Sequence, residues 1–225
     1  YTAKQWGVSP SEIDPSVLKR VPLRFSYDEG YFDDAYQVMP KHSFTTYFEN
    51  LLDHPNIHVT LGIEALEHLC IRDNILTIDG HATNQTVIYT GALDELFDYQ
   101  YGRLPYRSLR FEWKYTEADS VQNAPVVAYP QEDGYTRITE YKKLPLQSGK
   151  GSSYALEYPL AYTPNTGAEP YYPVLTEQSK QQYEKYKALA DEIPNLICCG
   201  RLADFKYYNM DQALERALDS VRKLG

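Results

Sequence analysis

At 225 residues, the chain has material for one large or two modest domains with a substantial core. A formal net charge of −9 and a pI near 5.1 exclude general nucleic-acid binding, which needs basic surface to displace counterions from phosphates, so any anion site here is local. No apolar run approaches the length that crosses a bilayer and no charged-then-apolar leader is present, so no membrane insertion and a cytoplasmic location are expected.

Taken in order, residues 1–7 lead to Ser9-Pro10-Ser11-Glu12. Ser9 can cap a short helix there, Pro10 can occupy its first position and Glu12 can complete a capping box. Pro22 then disfavours helix at Val21, leaving Arg20 and Arg24 on either side of an X-Pro bend as solvated loop charges or as an anion clamp. Residues 27–40 read as two short extended pieces around turn residues. Phe44, Tyr47, Phe48, Leu51 and Leu52 form a helical stripe ended by Asp53-His54-Pro55. Three strands are expected at 57–61, 75–78 and 87–91. The last, stopping at Gly91, reads as a central strand that delivers its carboxyl end to a ligand crevice.

From Gly91 onward the pattern lengthens to a period of two at 108–115, 126–130, 136–141 and 153–158, with turn-rich breaks between, as an antiparallel sheet with one wet face requires. A polar helix over 176–190 carries Tyr183, Tyr186 and Leu189 along one side. The strand at 196–199 runs into Gly200, and a helical pattern follows at Met210, Ala213, Leu214, Ala217, Leu218 and Val221. At such a strand–turn–helix junction the first helical N–H groups can bind an anion, with Arg201, Lys206, Tyr207 and Tyr208 around it; equally, Gly200 can cap the strand while the tyrosines pack on neighbours. The order of elements gives a mixed α/β fold, an α/β domain interrupted by a β insertion.

The chemistry is narrowed by what is missing. His42, His54, His58, His68 and His81 have no metal-ligand spacing, Cys70, Cys198 and Cys199 read as reduced apolar residues, and neither a Gly-x-Ser-x-Gly elbow nor a Walker loop occurs. Tyrosine is the compositional outlier, 22 residues against 7 Phe and 2 Trp. Arginine recurs beside it, at Arg20 before Tyr31, Arg137 after Tyr135 and Arg201 before Tyr207. A permanently charged fork with phenolic donors alongside suits a diphosphate.

The collinear motifs Tyr1-Thr-x-Lys-Gln-Trp6, Arg20-Val-Pro-Leu-Arg24, Tyr31-Phe32, Tyr89-Thr-Gly91, Asp94, Tyr101-Gly102, residues 106–112, Thr136-Arg137-Ile138-x-Glu140, Glu157-Tyr158-Pro159, residues 170–173 and Gly200-Arg201-Leu202 resemble the UDP-galactopyranose mutase family. That family interconverts UDP-galactopyranose and UDP-galactofuranose, an isomerisation serving cell-surface polysaccharide synthesis. Reduced FAD supplies the nucleophile through flavin N5, so no protein side chain is expected to be catalytic and no metal is expected. The resemblance implies four segments: 1–37, the end of a helical substrate-binding region with a mobile loop; 38–91, part of the FAD-binding domain; 92–170, the antiparallel β-sheet domain; and 171–225, the carboxyl-terminal part of the FAD-binding domain. Tyr1 and Trp6 would contact uridine, Arg20 and Arg137 the diphosphate, Tyr31, Tyr172 and Tyr207 the phosphates, and Glu157 the region of the nucleotide sugar. Arg201, Asn209 and Met210 would face the flavin, with Asn209 standing where the family usually has aspartate. No Gly-x-Gly-x-x-Gly occurs. The chain therefore reads as the carboxyl-terminal portion of a mutase, inactive alone and not retaining FAD, with UDP-galactose as ligand and a homodimer as its assembly. The competing readings are a non-catalytic UDP-sugar-binding module and a flavin oxidoreductase of the amine-oxidase type.

Overall fold

The computed structural model describes residues 2–18, 25–27, 32–164 and 166–224. In chain order, helices α1 (Thr2–Trp6), α2 (Pro15–Leu18), α3 (Phe44–Leu52) and α4 (Ala65–His68) precede strands β1 (Leu69–Arg72), β2 (Ile75–Ile78), β3 (His81–Ala82) and β4 (Val87–Tyr89). Helix α5 (Leu93–Leu96) leads to β5 (Tyr106–Thr116), β6 (Val126–Ala128), β7 (Arg137–Glu140), β8 (Ser152–Ala161) and β9 (Tyr172–Pro173). Helix α6 (Glu177–Asp191), β10 (Leu196–Cys198) and α7 (Met210–Arg222) complete the chain. The chain divides into two compact units, Tyr1–Gln5, Leu18–Ile63 and Arg110–Pro159 in one, Trp6–Val17, Glu64–Leu109 and Leu160–Gly225 in the other.

The first unit is built on strands in the order β6-β7-β8-β5, with β7 antiparallel to both β6 and β8. Its buried hub is polar. Glu140, fully buried at the end of β7, accepts from Ser152 Oγ at 2.6 Å, from the Val121 and Gln122 backbone at 3.1 and 3.3 Å and from Ser120 Oγ at 3.1 Å, and pairs with Lys143 at 3.3 Å. Burial raises the cost of its charge, but those donors overcome it and hold the acid down at about 2. The loop at 120–122 is thereby stapled to the sheet. Gly151, which precedes β8, has φ +70°, and a side chain there would meet the Tyr115 hydroxyl at 2.2 Å and the Thr116 carbonyl at 2.7 Å, so only glycine fits.

Helix α3 forms where the stripe predicts it, with Ser43 as its cap, accepting from Thr46 N at 3.0 Å. Phe44, Tyr47, Phe48, Leu51 and Leu52 are all exposed. The strand expected at 57–61 is not one: this stretch is irregular, with Val59 and Leu61 exposed. β-branched composition favours a strand only when a neighbouring strand takes up the backbone N–H and C=O groups, and none pairs with 57–61 among the described residues. The described part of 27–40 likewise contains no strand.

In the second unit, β1, β2 and β3 form an antiparallel meander. Asp73 and Asn74, both left-handed at φ 49° and 59°, make the tight two-residue turn between β1 and β2. Strand β4 pairs in parallel with β10. Helix α6 turns Tyr186, with no exposed surface, into a core that includes Leu93, Phe97, Leu104, Tyr106 and Phe205. The buried hydroxyl is satisfied on both sides, accepting from Tyr101 N at 2.9 Å and donating to the Gly102 carbonyl at 2.7 Å. Thr176 caps α6, accepting from Ser179 N at 3.0 Å. Helix α7 is amphipathic, and its Met210, Leu214, Leu218 and Val221 are exposed. The three cysteines form no disulfide, and burial pushes the Cys198 thiol up to about 12, which keeps it an unreactive apolar residue.

Candidate functional site

Two constellations of the expected site residues form, one in each unit. In the second unit, β9 pairs with the start of β5, setting Tyr172 opposite Arg107. Trp6 ends α1 and is followed by Gly7 at φ +67°, where any side chain would strike the Arg107 guanidinium at 3.0–3.2 Å. The turn after β10 brings Tyr207 to the same place. The Trp6 ring lies 5.5 Å from Tyr172 and 5.3 Å from Tyr207, the latter edge-on at 85°, and the two tyrosine rings are 5.2 Å apart. Such edge contacts contribute about 0.5–1.5 kcal/mol each beyond area burial. Against this triangle stands Arg201, its guanidinium carbon 5.5 Å from the Tyr172 ring and 5.1 Å from that of Tyr207. Its Nη1 donates to the Tyr171 carbonyl at 3.2 Å and its Nη2 to the Tyr208 carbonyl. Trp6 is buried, and its indole N–H has no hydrogen-bond partner among the described residues. A buried donor in that state costs about 1–3 kcal/mol until something accepts from it. A cavity of about 520 Å³ opens beside Tyr207 and Tyr208, with Lys180, Lys206 and Asp204 on its wall.

The turn that presents Arg201 and Tyr207 has its own fastening. Gly200, at φ +108°, donates its N–H to Asp204 Oδ2 at 3.0 Å, and Tyr208 donates its hydroxyl to the same oxygen at 3.2 Å. Arg216 of α7 donates to Asp204 from Nε at 3.1 Å and from Nη2 at 3.2 Å, and its Nη2 also reaches the Cys198 carbonyl at 2.8 Å. Phe205 holds the left-handed conformation, φ 47°, because its ring is stacked on Tyr183 at 5.4 Å and set against Tyr106 at 5.5 Å. Asn209 immediately precedes α7, its N–H donating to Gln212 Oε1 at 2.9 Å, and Met210 is the first residue of the helix.

In the first unit, the register of β7 against β8 sets Arg137 opposite Glu157. Arg137 donates from Nε at 2.8 Å and from Nη2 at 2.7 Å to one carboxylate oxygen of Glu157, whose side chain is 4 % exposed against 32 % for Arg137. Burial raises the Glu157 acid above its usual range and the Arg137 charge opposes that shift. The second carboxylate oxygen is buried with no partner among the described residues. Lys4 belongs to the same unit. Its ammonium is enclosed by the carbonyls of Tyr129, Glu132 and Tyr135, tying α1 to that loop. The lysine of the first motif is thus a tether.

Tyr1, Arg20 and Tyr31 lie outside the described residues. Sequence reasoning missed Asp204, Arg216 and Lys4 as supports. Lys4 stood inside a quoted motif and so had a signal, whereas the Asp204–Arg216 pairing spans twelve positions with no periodic cue. Among the described residues no cluster of His, Cys, Asp and Glu could hold a metal ion, and no helix is long and apolar enough to cross a membrane.

The scaffold defines a mixed α/β protein whose polar constellations are assembled from arginine, tyrosine and tryptophan rather than from metal ligands or a nucleophile triad. Comparison with known proteins narrows the class. The family profile described as UDP-galactopyranose mutase matches residues 1–207. The dTDP-fucopyranose mutase of Escherichia coli is 38 % identical over 99 % of this chain and 58 % of that protein. A Klebsiella pneumoniae protein named "Probable UDP-galactopyranose mutase" is 40 % identical over 98 % of this chain and 54 % of its own length. The UDP-galactopyranose mutase of Mycoplasma pneumoniae is 36 % identical over the whole chain and 57 % of that protein. The chain belongs to the UDP-galactopyranose mutase family. It spans a little over half the length of these relatives.

Proposed function

We propose that this chain contributes the nucleotide-sugar site of a flavin-dependent mutase that interconverts UDP-galactopyranose and UDP-galactofuranose. The observation that carries the reading is the convergence of Trp6, Tyr172, Tyr207 and Arg201, four residues from distant parts of the chain, on one spot. Aromatic faces and an indole N–H suit a pyrimidine nucleoside, and phenolic hydroxyls suit its diphosphate, with the Arg201 guanidinium beside them toward the flavin. In the second unit, Trp6 takes the uridine end and Tyr172 and Tyr207 donate to phosphate oxygens; in the first, Arg137 is the proposed diphosphate arginine and Glu157 the residue toward the sugar. Tyr1, Arg20 and Tyr31 keep the uridine, diphosphate and phosphate roles that the family resemblance implies. Because Glu157 is spoken for by Arg137, its role is to orient that guanidinium.

The residues proposed to face FAD fit an electron-rich heteroaromatic edge. Arg201 is a fixed cation, and the start of α7, with Asn209 as its cap and Met210 as its first residue, sets the positive end of a helix there. When bound and reduced, FAD supplies the nucleophilic chemistry of the ring contraction; this chain's residues bind, orient and balance charge. The dTDP-fucopyranose specificity named for the Escherichia coli relative supports a second reading of the substrate. Calorimetric titration of the chain with UDP, dTDP and inorganic pyrophosphate tests both. Stronger binding of UDP than dTDP, and of either over pyrophosphate, is expected; a preference for dTDP moves the substrate to the deoxy series, and pyrophosphate binding as strongly as UDP removes the aromatic triangle from the site.

A further inference from the structure

The turn between β10 and α7 carries Arg201 at one end and Tyr207 at the other. Arg201 donates to the Tyr171 and Tyr208 carbonyls, contacts that exist only once the turn is in place. What brackets the turn is Asp204. Its Oδ2 takes the N–H of Gly200, one residue before Arg201, and the hydroxyl of Tyr208, one residue after Tyr207. Arg216 fixes the carboxylate in turn and binds the carbonyl of Cys198 at the end of β10 and Ser220 Oγ at 2.6 Å on α7. Strand, turn and helix therefore meet at one ion pair, whose side chains are 14 % and 29 % exposed.

An unneutralised carboxylate so close to an anion site would repel a diphosphate. Here the charge of Asp204 is matched by Arg216 and its oxygens are taken up by four donor groups, so it shapes the site without opposing the ligand. We propose that Asp204, clamped by Arg216, is the positioning residue that holds Tyr207 at the nucleotide diphosphate and, at the other end of the same turn, Arg201 toward the flavin. The inference rests on the nucleotide-binding reading above.

The test is Asp204→Asn in the full 225-residue chain, which keeps the shape but turns one acceptor into a donor facing donors. UDP affinity by calorimetry is expected to fall at least tenfold, and Arg216→Gln, which leaves Asp204 intact but unclamped, is expected to reproduce the loss. Tyr186→Phe is the comparison for plain destabilisation, because it removes two buried hydrogen bonds away from the turn. It should lower the unfolding midpoint while holding UDP affinity within twofold. An Asp204→Asn affinity within twofold of the parent, or an equal loss in Tyr186→Phe, overturns the inference. If the parent binds no UDP, the nucleotide reading fails on its own, and positioning is decided by the emission of Trp6 in a Trp113→Phe background. Asp204→Asn should shift that emission to the red as Tyr207 leaves the indole edge; an unchanged spectrum overturns the proposal.

Discussion

Replacing Arg137 with alanine removes a cation from a carboxylate that has nowhere else to turn. Glu157 is 4 % exposed at its side chain, receives both Arg137 contacts on a single oxygen, and has its other oxygen unpartnered among the described residues. Breaking a buried ion pair by deleting one partner costs about 3–5 kcal/mol. Arg137 is itself about one-third exposed, so water partly replaces it and the lower end, about 3 kcal/mol, is expected. The loss has a sign in pH. A carboxyl whose folded pKa is raised by burial contributes stability below its unfolded pKa and loses it as pH rises through the folded value. Without Arg137 to oppose the shift, the difference between parent and Arg137→Ala should be smallest near pH 4 and largest at pH 8. Urea unfolding followed by circular dichroism at the two pH values measures it. Adding Glu157→Gln, which removes the stranded charge, should recover at least half of the loss at pH 8. A loss under about 1 kcal/mol at pH 8, or no recovery in the double variant, refutes the account of this pair. The same result bears on binding, because any effect of Arg137→Ala on UDP has to be compared at equal folded fraction.

Two further acids should titrate with opposite signs. Asp94, a buried residue of α5 with Leu104 N donating to it at 2.9 Å, is pushed up by burial to about 6 from 3.8, so its ionisation weakens the fold as pH rises. Asp94→Asn should therefore be more stable than the parent by about 1–2 kcal/mol at pH 7.5 and equal to it near pH 3.5, in paired urea titrations; equal midpoints at both pH values would count against this. Glu140, held down at about 2 from 4.5, contributes stability above pH 4.5 that is lost as pH falls toward 2. Glu140→Gln should cost about 2 kcal/mol at pH 7 and most of that cost should be gone by pH 2, and a cost independent of pH would assign the hub to shape alone.

Much of the scaffold was legible because its signals are local. The alternation in β5 and β8, the stripe of α7 and the box in which Ser9 N donates to Glu12 Oε2 all report on neighbours within a few residues. The segment at 57–61 misled because β-branched side chains describe a strand only when a partner strand is present, and pairing is not encoded locally. The site divides the same way. Arginine beside tyrosine could be read along the chain, yet three rings within 5.5 Å of one another draw on residues 6, 172 and 207, a closeness that only the folded backbone reveals. Asp204 and Arg216 were invisible because each is an ordinary charged residue until the turn at Gly200 brings them together.

The central claim is that Tyr207, in the ring triangle under Arg201, receives the diphosphate of a pyrimidine nucleotide. Titrating UDP into the parent chain and into Tyr207→Phe tests it, because that change removes the phenolic donor and keeps the ring contacts with Trp6 and Tyr172. The account predicts saturable binding to the parent and an affinity roughly 10- to 150-fold weaker in the variant, the worth of one hydrogen bond to a charged group. Equal affinities, or no binding to a folded parent, would contradict it.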